Sequence, residues 1–215
     1  ELLLASAGKG TAVVAAGAAV AGGGAVVIGA AGSSPAPRRA VASAPAPPGV
    51  ALASARNLLA ALPDTLAVVR PGATEVAALL ATAGCVTTVC ERADAGMGHS
   101  LAHAIAASAD YDGWVIALAD MPYIRVRSIA AVARALEQGA GIVLPQFAGE
   151  KGHPVGFSAV FRAELEALQG DAGARAVLAA HPGQVLRLAL DDPGILRDID
   201  TPADLARAAP PDQPG

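Results

Sequence analysis

Asp120 carries the first chemical signal. It ends an uncharged apolar run, Trp114 to Ala119, and Met121 and Pro122 follow it. A carboxylate in that place is costly to desolvate unless it is paired or bound to a metal, and Pro122 stops a strand there. Two readings fit: a metal ligand, or a cap that accepts from helix N–H groups. A second acidic pair lies far along the chain, in Arg197-Asp198-Ile199-Asp200-Thr201-Pro202. Strand alternation puts Asp198 and Asp200 on one face. One of them could meet Asp120 across a sheet end, where two carboxylates repel unless a divalent cation lies between them. Mg²⁺ suits that role, because it takes one or two carboxylates, keeps waters and binds substrate phosphates. The alternative for Asp200 is a cap on the last helix, a job Thr201 can already do.

Three further clusters stand out. Gly29-Ala30-Ala31-Gly32-Ser33-Ser34 follows a short apolar stretch. Its small residues let backbone N–H groups approach a base or a phosphate, or form an ordinary tight turn. Lys151-Gly152-His153-Pro154 and Gly170-Asp171-Ala172-Gly173-Ala174-Arg175 are polar loops in an otherwise apolar chain. His153 is either a site residue or a structural one. Arg175 either binds an anion or pairs with Asp171 one turn away. The Gly8-Lys9-Gly10 segment lacks the first Gly and the Ser or Thr of a phosphate-binding loop, so it is rejected as one.

These residues need a scaffold, and the pattern supplies one. Strands are expected at Ala25 to Ile28, Thr65 to Arg70, Cys85 to Cys90, Trp114 to Ala119, Gly141 to Leu144, His153 to Ala159, Gln184 to Leu190 and Ile195 to Ile199. Helices are expected at Ala51 to Leu62, at Thr74 to Ala83 with Thr74 as cap, and at Ser100 to Ala109, Val126 to Gln138, Arg162 to Leu168 and Ala174 to Ala180. A last helix opens at Thr201-Pro202. Strands alternating with helices predict an α/β fold with a mostly parallel sheet. Ligands then bind at the carboxyl ends of the strands.

Composition removes other classes. The chain has 215 residues, 53% hydrophobic, with net charge −4, which excludes disorder for most of it. Fifteen Lys and Arg against 19 Asp and Glu, with 3% aromatics, leave no footprint for nucleic acid. Thr11 to Pro37 carries no charge, yet Ala and Gly contribute little to lipid transfer, so no membrane insertion is expected. Lys9 makes a thin basic region for a secretory signal, and an opening on Glu1 suggests a trimmed or incomplete N-terminus. Cys85 and Cys90 sit in an apolar stretch and read as buried free thiols, which fits a cytoplasmic location. Residues 1–25 read as an Ala/Gly-rich extension, 26–208 as a single domain and 209–215 as a Pro-rich tail.

The motifs in series carry a resemblance. Gly96-Met97-Gly98-His99-Ser100-Leu101, Leu118-Ala119-Asp120-Met121-Pro122, Gly152-His153-Pro154, Gly170-Asp171-Ala172-Gly173-Ala174-Arg175 and Asp198-Ile199-Asp200-Thr201-Pro202-Ala203-Asp204-Leu205 resemble the molybdenum cofactor cytidylyltransferase group of the MobA-like nucleotidyltransferases. The likeness runs from about Val26 to Leu205. It implies a Rossmann-like sheet of the GT-A type, with a small mixed C-terminal section. It also implies transfer of CMP from CTP to the phosphate of a molybdopterin-type cofactor, with loss of pyrophosphate. By the same resemblance, Asp120 and Asp200 are catalytic and hold Mg²⁺. Ala30, Ala31, Gly32, Ser34, Gly98 and Ser100 line the nucleotide, and His153, Asp171 and Arg175 lie nearer the acceptor. Nucleotidyl transfer rests on positioning and charge neutralisation, so sparse acid–base machinery is no objection.

One departure stands. The family opens Leu-Ala-Ala-Gly-x-Ser-x-Arg-Met-Gly with a Lys soon after. Here Ala36 stands at the Arg position and the next Lys is Lys151, with Arg38 and Arg39 nearby. Two alternatives therefore accompany the main expectation. One is an accessory protein that binds the cofactor and passes it to a molybdenum hydroxylase. The other is a nucleotidyltransferase with another phosphorylated acceptor.

Overall fold

Apolar runs of five or six residues with turn signals at each end make buried strands, and helical periodicity between them makes the crossovers. The computed structural model describes residues 2–5, 11–16, 48–171, 173–199 and 204. In chain order the regular elements are β1 (Leu2–Ala5), β2 (Thr11–Ala16), α1 (Pro48–Ala61), β3 (Thr65–Val69), α2 (Thr74–Ala83), β4 (Val86–Val89), α3 (Met97–Ala106), β5 (Gly113–Leu118) and α4 (Val126–Glu137). They continue with β6 (Ile142–Phe147), β7 (Glu150–Lys151), β8 (Val155–Ser158), α5 (Arg162–Glu166), α6 (Arg175–Ala180) and β9 (Val185–Ala189).

The strands form one nine-stranded sheet, ordered β4-β3-β2-β1-β5-β8-β6-β7, with β9 on β6 and a further β2–β5 pairing. The pairings give β2, β3, β4, β5, β6 and β9 one common direction and reverse β1, β7 and β8. The sheet is therefore mixed, with its reversed strands placed among the others. Helix α1 packs on α2 and α4, and α3 packs on α5. Strand β5 is buried almost throughout, as its continuous apolar run predicts. Trp114 on β5 pairs across the strands with Phe157 on β8. Both are fully buried, and Phe157 meets Phe161 edge to face at 6.3 Å. The Trp114 indole N–H reaches Ser108 Oγ at 3.0 Å.

Several boundaries differ from the sequence expectation. Thr74 is the first helical residue of α2, and Ala73, which offers no side-chain cap, precedes it. Helix α3 begins at Met97, three residues before the expected start, because Gly96 at φ 121° turns the chain into it. Strand β6 runs through Pro145 to Phe147. The expected strand at Ile195 to Ile199 is a 3₁₀ turn, Pro193–Leu196, followed by irregular chain. Pro193 fixes φ there, and the Asp192 carboxylate accepts from the Gly194 N–H at 3.0 Å, so the chain turns instead of extending. The expected first strand, Ala25 to Ile28, lies outside the described residues, as do Thr201 and Pro202 of the last helix. Two described strands, β1 and β2, fall in the Ala/Gly-rich stretch before residue 26. Among the described residues no helix is long and apolar enough to cross a membrane. Cys85 and Cys90 are free and buried, and burial pushes the Cys85 thiol up to about 11.

Candidate active site

Strand β5 leads directly to Asp120. After Leu118 the chain turns, with the Met121 N–H reaching the Leu118 carbonyl at 3.4 Å. Asp120 does not cap the next helix, because the N-cap of α4 is Arg125. Helix α1 reaches this turn with two polar side chains. Ser54 Oγ donates to the Ala119 carbonyl at 2.9 Å. Asn57 Nδ2 donates to the carbonyls of Pro122 at 2.9 Å and Ile124 at 3.1 Å. The C-terminal segment comes to the same place: the Ile199 N–H donates to the Asp120 carbonyl at 2.8 Å. Ile199 packs with Val50 of α1 and Tyr123, and the Arg197 guanidinium lies 4.5 Å from the Tyr123 ring centre. Asp198 is exposed, and Asp200 lies outside the described residues. The described donor is the Asp120 carboxylate, and a hard cation that takes one or two carboxylates and fills its remaining positions with phosphate and water accepts such a donor. The described residues contain no group of three or more His, Cys, Asp or Glu able to hold a metal by themselves.

His153 enters from the reversed strand. Because β8 runs against β5 with Val155 opposite Ile116, the start of β8 lies at the end of β5. Gly152 donates to the Pro145 carbonyl and His153 N to the Ile195 carbonyl, both at 2.9 Å. A Cβ on Gly152 would fall on the Ile195 carbonyl and 2.7 Å from its Cγ1, so only Gly fits. Burial holds the His153 imidazole down at about 4, and the Arg175 charge adds to this, while a hydrogen bond to the Ile116 backbone opposes it. Its Nδ1 is buried without a hydrogen-bond partner among the described residues. The ring is therefore neutral at pH 7, and Arg175 is close enough for its charge to act on it.

The two glycine loops dock on each other. The Gly98 N–H donates to the Gly170 carbonyl at 2.7 Å, and the Gly170 N–H donates to His99 Nδ1 at 3.2 Å. A Cβ on Gly96 would stand on the Gly170 backbone and 2.7 Å from Asp171 Oδ1, and one on Gly98 would be 2.8 Å from the Gly170 oxygen. Ser100 is buried in the first turn of α3. Asp171 and Arg175 are exposed, and no ion pair among the described residues joins them. Beside these loops, a cavity of about 340 Å³ is lined by Cys90, Arg92, His99, His103, Glu166 and Gln169 among others.

Asp120 and the chain next to Asp200 thus meet, with His153 at the same end of the strands, and Gly98 meets Asp171's loop. Ala30, Ala31, Gly32 and Ser34 lie outside the described residues. The sequence reading missed Ser54, Asn57 and Asp192. Asp192 is buried and accepts from Arg125 N at 2.9 Å and from Ser128 Oγ at 2.6 Å. Only the Asp192-Pro193-Gly194 turn signature hinted at it.

A family model described as a MobA-like NTP transferase domain matches residues 26–185. No curated protein matches the chain. Among solved structures, Rv0371c from Mycobacterium tuberculosis H37Rv is similar at 26% identity and TM-score 0.62, covering 74% of this chain and 82% of that one. A crystal of Rv0371c in complex with manganese is similar at 27% identity and TM-score 0.62, with 74% and 84% covered. A nucleotidyl transferase from Methanothermobacter thermautotroptrophicus shares the fold at 19% identity and TM-score 0.61, with 74% and 77% covered.

Proposed function

The chain belongs to the MobA-like NTP transferase family, and on that premise we propose that it transfers CMP from CTP to the phosphate of a molybdopterin-type molybdenum cofactor. Pyrophosphate leaves. The observation that carries the reading is the 2.8 Å bond from Ile199 N to the Asp120 carbonyl, which brings two acidic segments together where β5 ends. The choice of CTP and of this acceptor rests on the motif series Gly96 to Leu101, Gly152 to Pro154 and Gly170 to Arg175. We read residues 26–208, together with β1 and β2, which lie inside the same sheet, as one Rossmann-like unit of the GT-A type. Its buried free thiols agree with a reducing cytoplasm.

The reaction joins an acceptor phosphate oxygen to the α-phosphorus of CTP and breaks the bond from that phosphorus to the bridging oxygen of pyrophosphate. In this reading Asp120 and Asp200 hold a divalent cation, Mg²⁺ or Mn²⁺; manganese is named in the complex of the similar Rv0371c. The cation supplies charge neutralisation on the triphosphate. In the same reading Ala30, Ala31, Gly32 and Ser34 line the nucleotide, and Gly98, whose N–H is held by Gly170, and the buried Ser100 shape the chain beside it. Arg175, exposed at the start of α6, offers its charge to the acceptor phosphate beside Asp171. His153, neutral, shapes the floor of the site without adding charge.

The test is pyrophosphate release from CTP, GTP and ATP with the molybdenum cofactor as acceptor. Release with CTP, abolished by Asp120→Ala, supports the proposal. No turnover with any of the three nucleotides and any acceptor overturns it. Ala36 at the family's Arg position favours a second reading, an accessory protein that delivers the cofactor to a molybdenum hydroxylase. Retention of the cofactor without nucleotide binding would select that reading.

A further inference from the structure

Beyond Leu118 the chain leaves the sheet within the protein interior, and Pro122 has no N–H to offer. Carbonyls that lose their ladder partner inside a protein need donors from elsewhere. Helix α1 supplies them from one face. Ser54, itself buried, serves the Ala119 carbonyl at 2.9 Å. Asn57 lies three residues on, on the same helix face, and serves Pro122 and Ile124 at 2.9 and 3.1 Å. A carboxamide places two N–H donors on one nitrogen, so one side chain can tie two carbonyls that are two residues apart. The acceptors bracket Asp120 on both sides, and its own carbonyl is held by Ile199 N at 2.8 Å. The backbone around Asp120 is thus fixed by side chains that belong to a different part of the sequence.

We propose that Ser54 and Asn57 are positioning residues for Asp120. They hold the 119–124 segment so that the carboxylate keeps one place at the end of β5. The inference rests on the reading of Asp120 as a ligand for a divalent cation. Groups that orient a metal ligand through hydrogen bonds set the affinity of the site without touching the ion.

The experiment compares Asn57→Ala, Asn57→Asp and Ser54→Ala with Leu59→Ala, whose native side chain lies beside Gly84. Hydrogen exchange over residues 119–125 is read in each protein without ligands. Mn²⁺ binding and the Mn²⁺ dependence of pyrophosphate release are read alongside. The expected result is faster exchange over 119–125 in the first three variants and not in Leu59→Ala. The metal activation constant should rise about tenfold or more, with the nucleotide KM unchanged at saturating metal. Ser54→Ala removes one bond only, so it decides the matter if Asn57→Ala does not fold. Unchanged exchange over 119–125, or faster exchange with a wild-type metal constant, overturns the positioning role while Asp120→Asn remains defective. Wild-type protein indistinguishable from Asp120→Asn in Mn²⁺ binding and turnover overturns the reading of Asp120 itself, and the inference with it.

Discussion

A neutral histidine changes what the end of β5 can offer an anion. His153 lies at the end of β5, and burial holds its imidazole at about 4, with the Ile116 hydrogen bond opposing and the smaller Arg175 charge adding to the effect. Arg175 is the cation whose charge acts on that ring, and in the proposed reading a bound cation would add to it. The same shift is a stability statement. As pH falls from the ordinary value of 6.5 toward about 4, the unfolded chain takes up the proton before the folded one does. Stability is therefore flat in this group above about 6.5 and falls by on the order of 3 kcal/mol down to about 4. Urea unfolding at pH 7.5 and pH 4.5 should show that loss in wild type, on top of the carboxylates' share, and a smaller loss in His153→Gln. An equal loss in both would remove His153 as the cause. Asp192 makes the second residue argument. Its buried carboxylate accepts from Arg125 N, Ser128 Oγ and Gly194 N, while its ion pair with the half-exposed Arg125, at 3.8 Å, contributes little. Asp192→Ala strands those donors, and the expected cost is about 3 kcal/mol. Chemical denaturation reads it directly, with Asp192→Asn retaining part of the stability.

At the level of elements, two segments are close because the residues at their contact, Gly96, Gly98 and Gly170, lack side chains. Gly98→Ala would press a methyl against the Gly170 oxygen, 2.8 Å from the new Cβ, and overpacking of this kind costs about 1–3 kcal/mol. If the docked loops line the nucleotide, Gly98→Ala should also raise the KM for CTP by more than it lowers kcat. A wild-type KM in a folded Gly98→Ala protein would separate the loops from nucleotide binding. The elements themselves were largely legible in the sequence. The run from Trp114 to Ala119 reads as a doubly covered strand, and β5 is one. Asp120 stood out as a candidate because a carboxylate after such a run is an anomaly that demands a partner. The start of α3 was misplaced because Gly96 and Gly98 look like loop residues until the contact with Gly170 shows why they are small. Ser54 and Asn57 were invisible for another reason. Their acceptors lie 65 and 67 residues away, and no local pattern encodes a bond of that length. Ile195 to Ile199 alternates like a strand, but the Asp192 carboxylate and Pro193 turn the chain first.

For the molecule as a whole, the end of β5 is where remote parts of the chain converge. Helix α1, the start of β8 and the segment 195–199 all bond there, so a ligand that bridges them stabilises the entire fold and not a single loop. The net charge of −4 gives the protein no general attraction for a triphosphate. CTP binding should then depend on the cation held beside it. Binding to the native state alone raises stability by about 2.7 kcal/mol when the ligand is at a hundred times its Kd. For a chain of this size that is a rise in Tm of roughly 5–10 °C. Wild-type protein with Mn²⁺ and CTP together should show that rise, with Mn²⁺ alone giving less and CTP alone giving almost none. Asp120→Asn should lose the joint effect, read as the shift from that variant's own melting temperature without ligands; the Ala119, Asp120, Pro122 and Ile124 carbonyls that anchor the backbone are left in place by the substitution. A joint shift of the same size in Asp120→Asn would put the cation elsewhere on the protein. A full shift with CTP in the presence of a chelator would mean that fixed positive charge grips the triphosphate without a metal.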